Sequence, residues 1–198
     1  MIVQGILPFA RDLITTHITD KSIVVDATCG NGNDTLFLAN QVPNGEVYAF
    51  DIQEEAIKNT KIKTEAFSNI HYFKTGHENA APIIKERHEQ IDASIFNLGY
   101  LPKGDKHITT NAPTTIKAIE SLFEMTSKNG IIVLVVYPGH PEGQIESNEV
   151  INHVSSIDQQ SAHVLHYQFI NQKNNPPYII AIEKKIKMSK MSKRKPWE

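Results

Sequence analysis

Apolar and polar positions along the chain change period several times, and each change predicts an element. Ile6, Phe9, Ala10, Leu13 and Ile14 recur at the spacing of one helix face, so a helix over residues 6–16 is expected before the first strand. The β-branched run at 22–28 reads as that strand. Helical spacing returns at 34–42 and stops at Pro43, Asn44 and Gly45. The same reading gives a strand at 46–52, a helix at 53–67, a strand at 70–76 and a short helix at 79–88. A fourth strand starts at Ile91 and ends near Asn97, and a helix follows over 112–130, with Pro113 in its first turn and Gly130 past its end. The almost wholly apolar "GIIVLVV" then belongs at the centre of a sheet covered on both faces.

After a helix at 145–157, strands at 163–171 and 178–185 are joined by the short "QKNNPP". Strands so connected must pair antiparallel, because a parallel crossover needs a dozen or more residues. The pattern therefore predicts an α/β fold: a mainly parallel seven-stranded sheet, helices on both faces, closed by an antiparallel C-terminal hairpin. That is the Rossmann-like outline of class I methyltransferases, whereas dinucleotide dehydrogenases usually continue parallel. With 198 residues, 40% of them hydrophobic, one domain over 1–184 is expected.

Charge divides the chain unevenly. Residues 184–198 hold seven of the 20 basic residues and one of the 22 acidic ones, so the net charge of −2 splits into +6 for the tail and −8 for the rest. The segment 185–198 is read as a flexible basic tail, either an arm that gathers RNA phosphates or a solubilising terminus. No apolar run reaches the ~20 residues of a membrane span, and "MIVQGILPFARDLI" lacks the features of a signal peptide, so a cytoplasmic protein with no membrane partner is expected. Cys29 is the only cysteine, which excludes an internal disulfide and a cysteine-rich zinc site and suits a small packed residue. His163 and His166 would point to opposite faces of a strand, so no metal is expected. The sequence does not fix the oligomeric state; a homodimer is possible.

Ligands of such sheets lie beyond the carboxyl ends of the strands. There the first strand runs into "DATCGNGND", where Gly30 and Gly32 permit a sharp turn and close approach of backbone to ligand. The spacing is not the G-x-G-x-x-G of nicotinamide proteins. Asp26, Asn31, Asn33 and Asp34 offer acceptors and amide dipoles suited to an ammonium and a sulfonium rather than to phosphates. Asp51, ending the second strand, can accept from both hydroxyls of a ribose, with Gln53 close enough to reach the adenosine. His77 and Glu78 in "GHEN" either meet the adenine edge or ribose or cap the next helix. "NLGYLP", from Asn97 to Pro102, looks like a variant of the Asn/Asp-Pro-Pro-Tyr/Phe motif of amino methyltransferases, with Leu98 and Gly99 in place of the prolines. In that motif an amide and a carbonyl hold the target nitrogen while the aromatic ring stacks on the substrate. Asp105, His107 and Tyr137 are alternative proton acceptors for the amine. "YPGHPEG", with Tyr137 and His140, either shapes the substrate pocket or is a Pro/Gly connector.

Together, "DATCGNGNDT", Asp51 with Gln53, "GHENA", "NLGYLP" and "VYPGHPEG" resemble a bacterial family first described as ribosomal-RNA methylases and now associated with the tRNA wobble uridine. The resemblance covers roughly residues 2–184. It implies S-adenosylmethionine as cofactor, methylation of 5-aminomethyl-2-thiouridine to 5-methylaminomethyl-2-thiouridine, and the anticodon stem-loop of tRNA as partner. It also implies cofactor contacts from Asn31, Asn33, Asp51, Gln53, His77 and Glu78, with Asn97 and Tyr100 facing the aminomethyl group. Arg11, Lys103, Lys106 and the tail are then candidate RNA contacts, or solvated surface charges.

Overall fold

The computed structural model describes residues 2–101 and 108–185. Lys103, Asp105, Lys106, His107 and the basic tail beyond Lys185 lie outside the described residues.

Seven strands form one sheet in the order β3-β2-β1-β4-β5-β7-β6. They are β1 (Ile23–Asp26), β2 (Glu46–Asp51), β3 (Ile70–Lys74), β4 (Ile91–Leu98), β5 (Thr126–Val136), β6 (Ala162–Tyr167) and β7 (Tyr178–Lys184). The first five run parallel; β7 lies antiparallel against β5 and against β6. The order reverses between β1 and β4, which puts the loops after β1, β2, β4 and β5 at one edge of the sheet.

Among the described residues six helices cover the sheet: α1 (Ile6–His17), α2 (Asn33–Gln41), α3 (Glu54–Lys63), α4 (Ala80–Lys85), α5 (Ala112–Met125) and α6 (Pro141–Ser155). Alternate strand residues serve opposite faces. Ile132, Leu134 and Val136 pack with Ile84, Ile119, Leu122 and Val150, from α4, α5 and α6, while Ile131, Val133 and Val135 pack with Ile14, Leu38 and Ile57, from α1, α2 and α3. All six of these β5 residues are buried, as a central strand between two helical layers requires.

Among the boundaries that differ from the sequence expectation, α3 ends at Lys63 rather than 67 and β6 at Tyr167 rather than 171, and three others have a visible physical cause. α5 stops at Met125, and "TSKNG" enters β5 through a register shift opposite Ile91 and Ala93. The Thr126 hydroxyl caps the Leu122 carbonyl, Ser127 donates to Asp92, and Asn129 sits at φ 62°, so a helix-like sequence is used as a bulged strand entry. α6 begins at Pro141 rather than near Ile145, because Pro141 fits the first turn and His140 caps it by accepting from Gly143 N–H. The expected helix at 79–88 is a 3-10 turn (His77–Asn79) followed by the six residues of α4.

Candidate active site

The chain leaves β1 at Asp26 and reaches α2 through two left-handed glycines, Gly30 at φ 51° and Gly32 at φ 75°. A Cβ on Gly32 would stand 2.9 Å from the Thr60 Cα, so the close approach of α3 requires glycine there as much as the dihedral does. The loop is tied to its neighbours: Cys29 N–H donates to the Phe50 carbonyl (2.8 Å), Gly30 N–H to Asp51 Oδ2 (3.0 Å), and the Thr60 hydroxyl to the Gly30 carbonyl (3.0 Å). Cys29 itself is 4% exposed, and burial raises its thiol pKa, as for a packed residue.

Asp26 has no exposed surface. It accepts from the Thr35 hydroxyl (2.6 Å) and from Thr28 N–H (3.3 Å), and burial, with Asp34 nearby, pushes its pKa up to about 7. It holds the loop from beneath. Asp51 accepts on one oxygen from Gly30 and on the other from Gln53 N–H (2.9 Å), yet burial still raises its pKa. Gln53 is the residue just before α3. Between Asp51 and Gln53 stands Ile52, 56% exposed, an aliphatic surface at the strand end that the sequence reading overlooked. Asn31 Oδ1 accepts from Asn59, and Asn33 Oδ1 from Lys63, so both side chains turn toward α3.

His77 is buried, edge-on to Phe96, hydrogen-bonded to the Ala27 backbone and 3.4 Å from the Thr115 hydroxyl; burial lowers its pKa, which keeps the ring neutral. It joins the third strand's end to the β1 loop and α5. Glu78 is half-buried and folds its carboxylate back over Gly76.

The end of β4 is fastened to the glycine loop at two points. Asn97 N–H donates to the Thr28 hydroxyl (2.7 Å), and Asn97 Nδ2 donates to Asp34 Oδ2 (2.8 Å). Asp34 Oδ1 in turn receives Arg11 Nε (3.0 Å) and Nη2 (2.8 Å), and the guanidinium lies over the Phe37 ring. Arg11, a candidate RNA contact in the sequence, pairs with Asp34 here while its side chain stays partly exposed. The Asp34 pairing also orients the Asn97 amide: with Nδ2 committed, Oδ1 is the atom left to accept from a substrate N–H.

Beyond Asn97, Gly99 at φ 149° turns the chain, and its N–H and carbonyl bond the hydroxyl and N–H of Thr110 at 2.9 and 3.0 Å. Tyr100 is 38% exposed, edge-on to His140 with ring centroids 5.3 Å apart. Leu101 reaches back over Gly30, where a Cβ would meet its Cδ1 at 3.4 Å. Tyr137 ends the apolar β5 run, and burial, together with Asp34, raises its phenol pKa. His140 Nδ1 accepts from Gly143 N–H (3.1 Å) and lies 3.3 Å from Glu142. Behind these residues stands Glu146, 2% exposed, which accepts from Thr110 (2.5 Å) and Thr115 (2.7 Å). It too escaped the sequence reading. Its signal was an acid on the buried face of α6, where Gly143, Glu146, Ser147, Val150 and Val154 follow helical spacing.

Among the described residues, no group of three or more His, Cys, Asp and Glu could hold a metal, and no helix is long and apolar enough to cross a membrane. His163 instead pairs with Glu183, and His166 packs on Tyr178.

Three carboxylates, Asp26, Asp34 and Asp51, surround one glycine loop, and among the described residues that donate hydrogen bonds to them Arg11 is the side-chain cation. Such a set suits a cationic ligand carrying hydroxyl donors and repels a pyrophosphate. S-adenosylmethionine fits: Asp51 would take the ribose hydroxyls, Ile52 would flank the adenine, and the acidic loop would face the sulfonium and ammonium. When bound, that cofactor supplies an electrophilic methyl group. Fold and site together define a class I S-adenosylmethionine-dependent methyltransferase.

The family described as "Putative rRNA methylase" matches residues 47–183, and the chain belongs to it. A Clostridium thermocellum structure described in those same words is 40% identical, with a TM-score of 0.89, covering 93% of this chain and 100% of that one. A Streptococcus mutans protein described as a "putative methyltransferase", solved in complex with SAH, is 37% identical, with a TM-score of 0.83 and coverages of 92% and 99%. An Arabidopsis thaliana protein named tRNA (mnm(5)s(2)U34)-methyltransferase, chloroplastic, is 38% identical over 135 residues, 62% of this chain and 49% of that protein. The chain spans about half the length of that curated relative.

Proposed function

We propose that the protein methylates the exocyclic amine of 5-aminomethyl-2-thiouridine at the tRNA wobble position, giving 5-methylaminomethyl-2-thiouridine. The observation that carries this reading is the Asn97 amide, whose Nδ2 donates to Asp34 and so leaves Oδ1 as the atom to accept an N–H at the end of β4. The exposed Tyr100 ring beside it offers a platform for a base. The Arabidopsis relative's name supports the choice of wobble uridine.

In the reaction the amine nitrogen forms a bond to the methyl carbon while the carbon–sulfur bond breaks, releasing the thioether and leaving an ammonium that sheds one proton. Asn97 Oδ1 holds an amine hydrogen so that the nitrogen lone pair points along the line of displacement, and Tyr100 fixes the plane of the base. Positioning of this kind is able to supply much of the acceleration. A wobble base is already in a single-stranded loop, so presenting it costs little unstacking. Beside Asn97 the Asp34 carboxylate is answered by Arg11 at 2.8 Å, which lessens its pull toward holding the amine as ammonium.

The test is transfer of labelled methyl to tRNA that carries the aminomethyl nucleoside, with ribosomal RNA and small amines as parallel substrates, followed by nucleoside mass spectrometry. Label in 5-methylaminomethyl-2-thiouridine is the expected result. Transfer to ribosomal RNA or to a free amine, with none to the tRNA, overturns the reading.

A further inference from the structure

The acceptor turn poses a mechanical problem. In an Asn-Pro-Pro-Tyr sequence two pyrrolidine rings fix φ and stiffen the backbone between the amide and the aromatic ring. Here Leu98 and Gly99 occupy those places, and glycine is the least restrained residue available. Yet the turn is bound closely. Thr110 takes both polar groups of Gly99, accepting its N–H on the hydroxyl and donating N–H to its carbonyl, and Tyr100 bridges to Thr109. Thr110 can accept in this orientation because its own hydroxyl proton goes to Glu146 Oε2; the other carboxylate oxygen takes the Thr115 hydroxyl of α5. Glu146 is 2% exposed, with His140 as a nearby basic group and the Thr110 and Thr115 hydroxyls as donors, so a group that is costly to bury sits where it settles the direction of two hydroxyls.

We propose that Glu146, acting through Thr110, is a positioning residue for the methyl-acceptor turn, and that this buried hydrogen-bond chain supplies the rigidity that prolines supply in the related motif. The proposal rests on the reading of Asn97–Tyr100 as the place where the acceptor nitrogen is held. It assigns Glu146 no contact with substrate or cofactor. The chain of bonds runs from α5 and α6 through Glu146 to Thr110 and then to Gly99, between the two side chains the reaction uses. Loosening it leaves the cofactor loop tied at Thr28 and Asp51 but lets Asn97 and Tyr100 drift relative to each other.

The decisive comparison uses four variants of the full chain. Thr110→Val keeps the shape but removes the hydroxyl, and Glu146→Ala removes the anchor. Thr110→Ser keeps the hydroxyl. Glu146→Gln keeps an acceptor for Thr110 and turns its amide toward the Thr115 oxygen. The first two are expected to lower kcat about 100-fold, with KM for tRNA and affinity for SAH changed less than about 3-fold. The two conservative variants retain most of kcat. An independent readout is amide hydrogen exchange. Gly99 N–H should exchange at least ~10-fold faster in Thr110→Val, while Asn97 N–H, held by Thr28, does not change. If Glu146→Ala does not fold, Thr110→Val and the exchange rates decide. If the wild-type protein methylates none of the RNAs tested, the proposed function fails and exchange alone judges the positioning role. An unchanged Gly99 exchange rate, or a Thr110→Val kcat within about 3-fold of wild type, overturns it, as does a Glu146→Gln variant as inactive as Glu146→Ala.

Discussion

Strand β2 begins and ends with a carboxylate, and the two are treated differently. At its amino end Glu46 accepts from the Tyr48 hydroxyl (3.0 Å), His88 (3.2 Å) and His71 (2.9 Å), with Arg87 at 3.5 Å. Burial pushes its pKa up, but His88, Tyr48 and Arg87 outweigh that and hold it below the ordinary value. At the carboxyl end the donors to Asp51 among the described residues are backbone N–H groups, those of Gln53, Gly30 and Ile52, and burial leaves its pKa above the ordinary value. Glu46 is a finished knot whose charge is answered within the fold. Asp51 accepts from neutral backbone donors, and a ligand that brings hydroxyl donors or positive charge to it gains free energy there. The carboxyl end is thus the end of β2 with acceptor capacity left for a ligand.

Breaking the carboxyl end should cost chemistry before it costs stability. Asn97→Ala removes the acceptor oxygen and is expected to lower kcat by roughly 10²- to 10³-fold while SAH affinity, measured by calorimetry, stays within about 2-fold. A parallel loss of both would mean that Asn97 serves the loop and not the acceptor. Asp51→Ala is the complementary cut. Losing two charge-assisted hydrogen bonds to a ribose should weaken SAH binding by about 100-fold in the same calorimetric titration. Binding within about 3-fold of wild type would remove Asp51 from the cofactor site.

A smaller effect is expected from the titration of Asp26. The Asp26 pKa of about 7 lies above its ordinary 3.8, so between those values the folded protein holds a proton that the unfolded chain has released. Stability therefore falls as pH rises through this window, by up to ~1.4 kcal/mol per pH unit from this group, and the cost is complete above about pH 7. Asp26→Asn keeps an acceptor for Thr28 N–H and removes the titration. Urea unfolding at pH 4.5, 6 and 8 should give a flatter profile for the variant, with its largest relative gain at pH 8. Parallel profiles would show that the carboxylate is answered in some other way.

Some of this was legible in the sequence and some was not, for physical reasons that differ by residue. The succession of strands and helices and the antiparallel close followed from the apolar periods and the short "QKNNPP" connection, because these are local constraints, whereas the order of strands across the sheet is set by non-local pairing. The entry to β5 was misread as helix because "TSKNG" carries helix-stop chemistry, and only the pairing with Ile91 and Ala93 reveals a bulge. Gly30, Gly32 and Asp51 stood out because backbone conformation and strand position demanded them. The duties of Asp34 and Arg11 did not, since a pair 23 residues apart carries no periodic mark. Glu146 did carry one, an acid on an otherwise buried helical face, but its link to Gly99 passes through Thr110, which no spacing rule connects to either.

The smallest predicted effect tests the other end of β2. Glu46→Gln keeps the size and one acceptor oxygen but removes the charge that draws His71, His88 and Arg87 together. These partners are themselves partly exposed, so solvent takes up much of the loss, and the expected cost is only about 1 kcal/mol, or roughly 2–4 °C in Tm. The glycine loop and the acceptor turn do not touch this cluster, so kcat and SAH affinity at a temperature well below the transition should match wild type. Calorimetric melting alongside a methyl-transfer assay separates the two quantities. A Glu46→Gln protein that lost activity while keeping its Tm would collapse the distinction between the ends, because a carboxylate fully answered by its own fold would then be shown to act on the far side of the sheet.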